Sequence, residues 1–112
     1  QAALDNLPPY QTTGSLTKPL VIMHTTGDPI VPFWHVDLYQ AKVAARGYLS
    51  NLSRFDVTRY GHCAFTQAEI MGAFDMLNYL ATGALSESHE YLLPESERGA
   101  YLRMLEDGGA LK

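Results

Sequence analysis

LVIMHTTGDP, the sequence of residues 20–29, joins a short apolar run to a turn. The run is too short for a buried helix and turn residues follow it at once, so it predicts a β-strand over 20–24. Its apolar residues do not alternate with polar ones, which is typical of a strand covered on both faces in a parallel sheet. The segment therefore predicts an α/β fold.

The next residues predict a crossover to a second strand. Residues 34–46 predict a helix because Val36, Tyr39 and Val43 lie on one stripe. RFDVT, at 54–58, alternates as a half-exposed strand does. Strand, helix and strand in this order predict a parallel pair with a right-handed crossover.

Two further helices are predicted after the second strand. Thr66 and Glu69 form a capping-box pattern, and Gly83 suits the end of the helix that begins there. The apolar stripe of this helix, which is expected to flank the sheet, consists of Ile70, Phe74, Leu77 and Ala81. A last helix is expected to begin at Pro94, with Leu102 and Leu105 on its inner face.

These elements divide the chain into three parts. We expect a connector at 1–18, two strands and their helices at 19–83, and a tail with one helix at 84–112. Two strands are too few, because so apolar a parallel strand needs neighbouring strands and helices on both faces. The sequence thus predicts one end of a larger sheet, incomplete as a stand-alone domain.

Composition and charge are those of an ordinary globular chain. Of its 112 residues 46% are hydrophobic and 18% charged. The net charge of −4 offers no basic surface for nucleic acid, and no apolar run approaches the ~20 residues that span a bilayer. Cys63 is the only cysteine, so the chain has no internal disulfide.

Two reactive side chains follow the two predicted strands, each by four residues. They are Asp28 and His62. Because ligands gather at the carboxyl ends of parallel strands, and a crossover brings both loops to one rim, we expect these side chains to approach hydrogen-bond distance. A catalytic histidine needs a carboxylate that fixes its tautomer. The serine that would complete a triad sits in a Gly-x-Ser-x-Gly turn, a pattern that this sequence lacks.

Residues 18–80 resemble the last two strands of the α/β-hydrolase superfamily. The resemblance is carried by KPLVIMHTTGDPIVP at 18–32, by YGHC at 60–63 and by the helix that follows. It implies that Asp28 is the triad acid and His62 the general base of an esterase- or lipase-like serine hydrolase. Such an enzyme cleaves carboxylic esters through an acyl-enzyme and needs no metal or organic cofactor. The chain departs from the family pattern at Thr25, where glycine is common, and it lacks the first six strands.

The resemblance also implies partners for the chain. They are a small-molecule ester substrate and the missing N-terminal part of the same hydrolase domain. Independently of the resemblance, the exposed sheet edge predicts a second copy of the chain as a partner. Three aromatic residues that flank the two loops are candidates for a substrate pocket, and these are Phe33, Trp34 and Phe65.

Two alternatives remain open at this point. One is a non-catalytic α/β fragment used for interaction or assembly, which a separation of more than about 6 Å between Asp28 and His62 would favour. The other is a related hydrolase with a different nucleophile, such as a peptidase or a dehalogenase-like enzyme that uses aspartate.

The other candidate residues have simpler interpretations. Cys63 is expected to be a buried structural thiol, since a nucleophile next to its own base rarely has suitable geometry. His24 is expected to be packed or hydrogen-bonded, and His35 and His89 to be solvated. No ligand-spacing template supports a metal site.

Overall fold

The computed structural model describes residues 1–85 and 87–111 and has mixed α/β content. Its strands are β1, Leu20–Gly27, and β2, Leu52–Tyr60. Its helices are α1, Ala2–Asp5, α2, Trp34–Ala45, α3, Gln67–Thr82, and α4, Glu95–Asp107. Short 3₁₀ turns occur at Pro8–Tyr10, Leu49–Asn51 and Glu90–Leu92. The predicted tail, 84–112, includes positions 86 and 112, which lie outside the described residues.

The two strands form a parallel pair, as predicted. Leu20 lies opposite Leu52, and the register shifts after Thr25 so that Gly27 lies opposite Tyr60. Both strands are longer than predicted. β1 continues beyond the apolar run through two β-branched threonines, which fit a strand, and β2 has two further residues at each end. The expectation that each reactive side chain follows its strand by four residues is therefore wrong. Asp28 follows β1 by one residue, and His62 follows β2 by two.

Helices cover both faces of this pair. The Arg54 side chain bonds Asp37 of α2, with Nη1 2.7 Å from the carboxylate. Its neighbour Phe55 packs with Val21 against the core formed by α3 and α4. Because successive side chains of a strand point to opposite faces, α2 lies on one face and the α3–α4 pair on the other.

The ends of α3 are as predicted, but its buried face is not. Thr66 Oγ1 accepts a hydrogen bond from the Glu69 amide, Glu69 reciprocates, and Gly83 ends the helix with a φ of 79°. The predicted stripe Ile70, Phe74, Leu77 and Ala81 is exposed. The buried residues are Ala68, Gly72, Asp75 and Met76. This face is buried because α4 packs closely against α3 at Gly72, where an added Cβ would lie 2.7 Å from the Met104 sulfur.

The core of the chain lies where α3, α4 and the 3₁₀ turn at Glu90–Leu92 meet. Its buried apolar side chains are Ala68, Met76, Leu93, Tyr101 and Leu105. Leu105 was expected there, while Leu102 is only partly buried. Within the described residues, no helix has the length and apolar character that crossing a membrane requires.

Candidate functional site

Asp28 and His62 form a hydrogen-bonded pair at the carboxyl ends of β1 and β2. Nδ1 of His62 lies 2.8 Å from Oδ2 of Asp28. The Asp28 side chain is 4% exposed and that of His62 is 40% exposed. The predicted approach of the two side chains is thus confirmed, and their separation is far below the distance that would favour unrelated loop residues.

The second carboxylate oxygen of Asp28 is held by its own loop. Oδ1 accepts hydrogen bonds from the amides of Ile30 at 2.8 Å and Val31 at 2.9 Å. Burial raises the pKa of Asp28, but the Val31 and Ile30 amides and the His62 imidazole lower it by more. The pKa of this carboxyl consequently falls from 3.8 to about 2. Asp28 is therefore an anion throughout the neutral range.

The Asp28 anion fixes the tautomer of the neutral imidazole. An ionised carboxylate only accepts hydrogen bonds, so the proton of the shared bond must sit on Nδ1 of His62. The lone pair is then on Nε2, which points away from Asp28. The pair can accept a proton at Nε2 and stabilise the imidazolium that results, as a general base must.

The residue before His62, Gly61, is hydrogen-bonded directly to the end of β1. The Gly61 amide donates to the Gly27 carbonyl at 3.2 Å, and the Gly61 carbonyl accepts from Thr25 Oγ1 at 2.5 Å. Gly61 has a φ of 125°, a backbone conformation that residues other than glycine rarely adopt. A Cβ on Gly27 would lie 3.2 Å from backbone atoms of β2, so glycine permits this close approach.

Further hydrogen bonds hold the loop that carries His62 on the far side of this residue. Arg59 Nη1 donates to the Ala64 carbonyl at 2.5 Å, and its two terminal nitrogens bond the Glu69 carboxylate at 2.8 and 3.0 Å. The hydrogen bond to Arg59 lowers the pKa of Glu69. Because Glu69 also caps α3, the loop carrying His62 is joined to the start of that helix.

A small cavity of about 210 Å³ opens beside the pair. Its lining includes Asp28, His62 and Phe65, together with Met23, His24, Thr25, Val31 and Cys63. Of the three aromatic candidates, Phe65 alone belongs to this lining. Phe33 packs edge-on against His24, with ring centroids 5.7 Å apart, and Trp34 packs against His35.

Cys63 is exposed, so the expectation of a buried thiol is wrong. Its Sγ lies 3.6 Å from Nε2 of His62, the nitrogen that carries the lone pair. The residue has a φ of 51°, which turns the chain sharply and brings two sequence neighbours into side-chain contact. Spacing along the sequence gave no sign of this turn.

The expectation that His89 is solvated is also wrong. Its Nδ1 lies 2.9 and 3.0 Å from the two carboxyl oxygens of Asp75, which is fully buried. The Tyr101 hydroxyl donates to the same carboxyl group at 2.5 Å and accepts from the His89 amide at 2.8 Å. His24 bonds the Thr25 carbonyl, and His35 is exposed, both as expected.

Among residues 1–85 and 87–111, no three histidine, cysteine, aspartate or glutamate side chains are grouped to hold a metal ion. The Asp28–His62 pair and its cavity are thus the candidate site that the sequence and the geometry share. Comparison of the chain with family models, curated proteins and solved structures finds no match.

Proposed function

We propose that this chain supplies the acid and the histidine of a serine hydrolase that cleaves carboxylic esters through an acyl-enzyme. Asp28 orients His62, and Nε2 of His62 takes the proton of a serine hydroxyl and passes it to the leaving alcohol as the acyl-enzyme forms. The same nitrogen then takes a proton from water and returns it to the serine as the acid is released. The observation that carries the proposal is the 2.8 Å bond between Nδ1 and Oδ2 at the ends of two parallel strands.

The electrostatics of the pair favour this role over a structural one. Asp28 stays ionised because two amides and the imidazole bond it, so it can stabilise a positive imidazole while its oxygens remain oriented. The His62 side chain is 40% exposed, so a reacting group can approach the imidazole.

The same proposal assigns the chain to the C-terminal end of an α/β-hydrolase sheet. The support is the resemblance of residues 18–80 together with the order β1, α2, β2, α3. The serine and the strands preceding β1 would then come from polypeptide outside these 112 residues.

A second candidate nucleophile is favoured by one observation. Cys63 is exposed and its sulfur lies 3.6 Å from Nε2 of His62, so the imidazole could deprotonate this thiol instead of a serine. The reaction would again pass through an acyl-enzyme, now a thioester.

Labelling with a fluorophosphonate tests the serine proposal in the full-length gene product. We expect a serine to be labelled, and we expect His62→Ala to reduce both labelling and ester turnover by orders of magnitude. His35→Ala is the matched control and should change neither. His89 is unsuitable as a control because it bonds the buried Asp75. A full-length product that neither reacts with the probe nor hydrolyses esters would refute the proposal.

The 112-residue chain alone separates the two nucleophiles. With an activated ester such as p-nitrophenyl acetate, the serine proposal predicts no burst of product. A burst that disappears in Cys63→Ala would favour the thiol. A burst that persists in that variant would contradict both assignments.

A further inference from the structure

We propose that Thr25 is a positioning residue whose hydroxyl holds His62 in register with Asp28. The catalytic role of Thr25 rests on the proposed function, since it concerns the same pair of residues. The structural role does not: one buried hydroxyl fixes the position at which the loop carrying the imidazole begins.

The Thr25 side chain is buried beside the cavity at the pair and bonds the loop that carries His62. The residue is 1% exposed, and Oγ1 lies 2.5 Å from the Gly61 carbonyl oxygen. A buried hydroxyl seeks a protein acceptor because it has no water to bond. Gly61 follows the last residue of β2, so its carbonyl lies beyond the paired residues of the two strands.

The hydroxyl thereby adds a hydrogen bond just beyond the end of β2. Gly61 is held on both sides by the end of β1: its amide donates to Gly27, and its carbonyl accepts from Thr25. Asp28 follows Gly27 directly, and His62 follows Gly61 directly. His62 therefore follows the residue that both hydrogen bonds hold, and Asp28 follows the acceptor of one of them.

Loss of the Gly61 carbonyl bond should loosen the imidazole. Two hydrogen bonds would remain, from the Gly61 amide to the Gly27 carbonyl and from Arg59 to the Ala64 carbonyl on the far side of His62. The carbonyl of the Gly61–His62 peptide would then have lost its donor, and rotation of this peptide moves Nδ1 of His62 relative to Oδ2 of Asp28. We infer that Thr25, rather than general packing, sets the 2.8 Å contact.

Three substitutions test this inference in the 112-residue chain. Thr25→Val keeps the shape and the strand preference but removes the hydroxyl, whereas Thr25→Ser keeps the hydroxyl. Thr58→Val is the matched control, because Thr58 lies exposed on β2. The measurement is the Nδ1 proton resonance of His62 in chain labelled with ¹⁵N-histidine, a signal that a short bond to carboxylate protects from exchange.

We expect the resonance in the original chain, its loss in Thr25→Val, its retention in Thr25→Ser and no change in Thr58→Val. An unchanged resonance in Thr25→Val, an equal loss in Thr25→Ser, or no resonance in the original chain would overturn the inference.

A second measurement serves if Thr25→Val does not fold. In the original chain, the Thr25 hydroxyl proton should exchange slowly and couple to the Gly61 carbonyl carbon, and its absence would also overturn the inference. Neither measurement uses ester turnover, so failure of the hydrolase proposal would leave this result standing.

Discussion

The low pKa of Asp28 has a direct consequence for stability. The folded pKa of about 2 lies below the ordinary value of 3.8, so the unfolded chain binds more protons between these values. The stabilisation from ionised Asp28 is fully present above about pH 4 and is lost as the pH falls towards 2.

We therefore expect Asp28→Asn to flatten the pH dependence of the free energy of unfolding in this window. The measurement is urea unfolding at a series of pH values, combined with an NMR titration of the Asp28 carboxyl carbon. Asp107→Asn, at the exposed end of α4, should leave the slope unchanged. A midpoint for Asp28 at or above 3.8 would contradict the expectation.

At the scale of single residues, the sequence predicts the contact of Asp28 with His62 but not that of Cys63 with His62. The approach of Asp28 and His62 follows from topology, because a parallel crossover brings both loops to one rim. The contact of Cys63 with His62 depends on a single backbone angle, a φ of 51° at Cys63. Cysteine has no preference for that region of φ, so nothing in its residue type indicated the turn.

At the scale of elements, the three-residue cluster of Asp75, His89 and Tyr101 joins α4 to α3. The Tyr101 hydroxyl both donates to Asp75 and accepts from the backbone of His89. Burial and the hydrogen bond to Asp75 raise the pKa of Tyr101. The cluster therefore fixes α3, α4 and His89, which lies between the two helices in sequence, in one arrangement.

We expect Tyr101→Phe to destabilise the chain by about 1–3 kcal/mol, the usual cost of leaving a buried polar group without its partner. The ring is retained, so the loss reports on the hydroxyl alone. The measurement is urea unfolding followed by circular dichroism. Tyr10→Phe, at an exposed position, is the matched control. Equal stabilities of the two variants would show that the cluster does not hold α4.

The ends of α3 and its buried face differ in how far the sequence could predict them. The capping box spans Thr66 to Glu69 and Gly83 ends the helix, so both signals are local. The face is chosen by α4, which packs at Gly72 and encloses Asp75. Because α4 is distant from Gly72 in sequence, the residues of α3 alone predict that its most apolar stripe is buried. This prediction is wrong.

At the scale of the molecule, the chain is more extended than a closed domain of its length. Its radius of gyration is 16.2 Å, whereas about 13 Å is usual for a compact chain of this size. The apolar stripe of α3 lies open, with Phe74 64% exposed. Beside it a groove of about 520 Å³ is lined by Gln67, Ile70, Met71, Phe74, Leu92 and Leu93.

This open stripe leads us to expect that the 112-residue chain self-associates. Apolar surface left in water costs ~25 cal/mol per Å², and an open strand edge adds a template for pairing. The sedimentation coefficient should therefore rise with concentration. The double variant Ile70→Glu/Phe74→Lys should be monomeric, because it places charges on the stripe while its i,i+4 pair supports the helix.

Leu38→Glu, on the exposed side of α2, is the control for added charge and should associate as the original chain does. Association that persists in the double variant would assign the contact to the open sheet edge instead of α3. A monomer that melts cooperatively and binds no apolar dye would show that these residues close their own core. In that case the two-strand sheet needs no further strands, and its packing gives no reason to expect a larger hydrolase sheet.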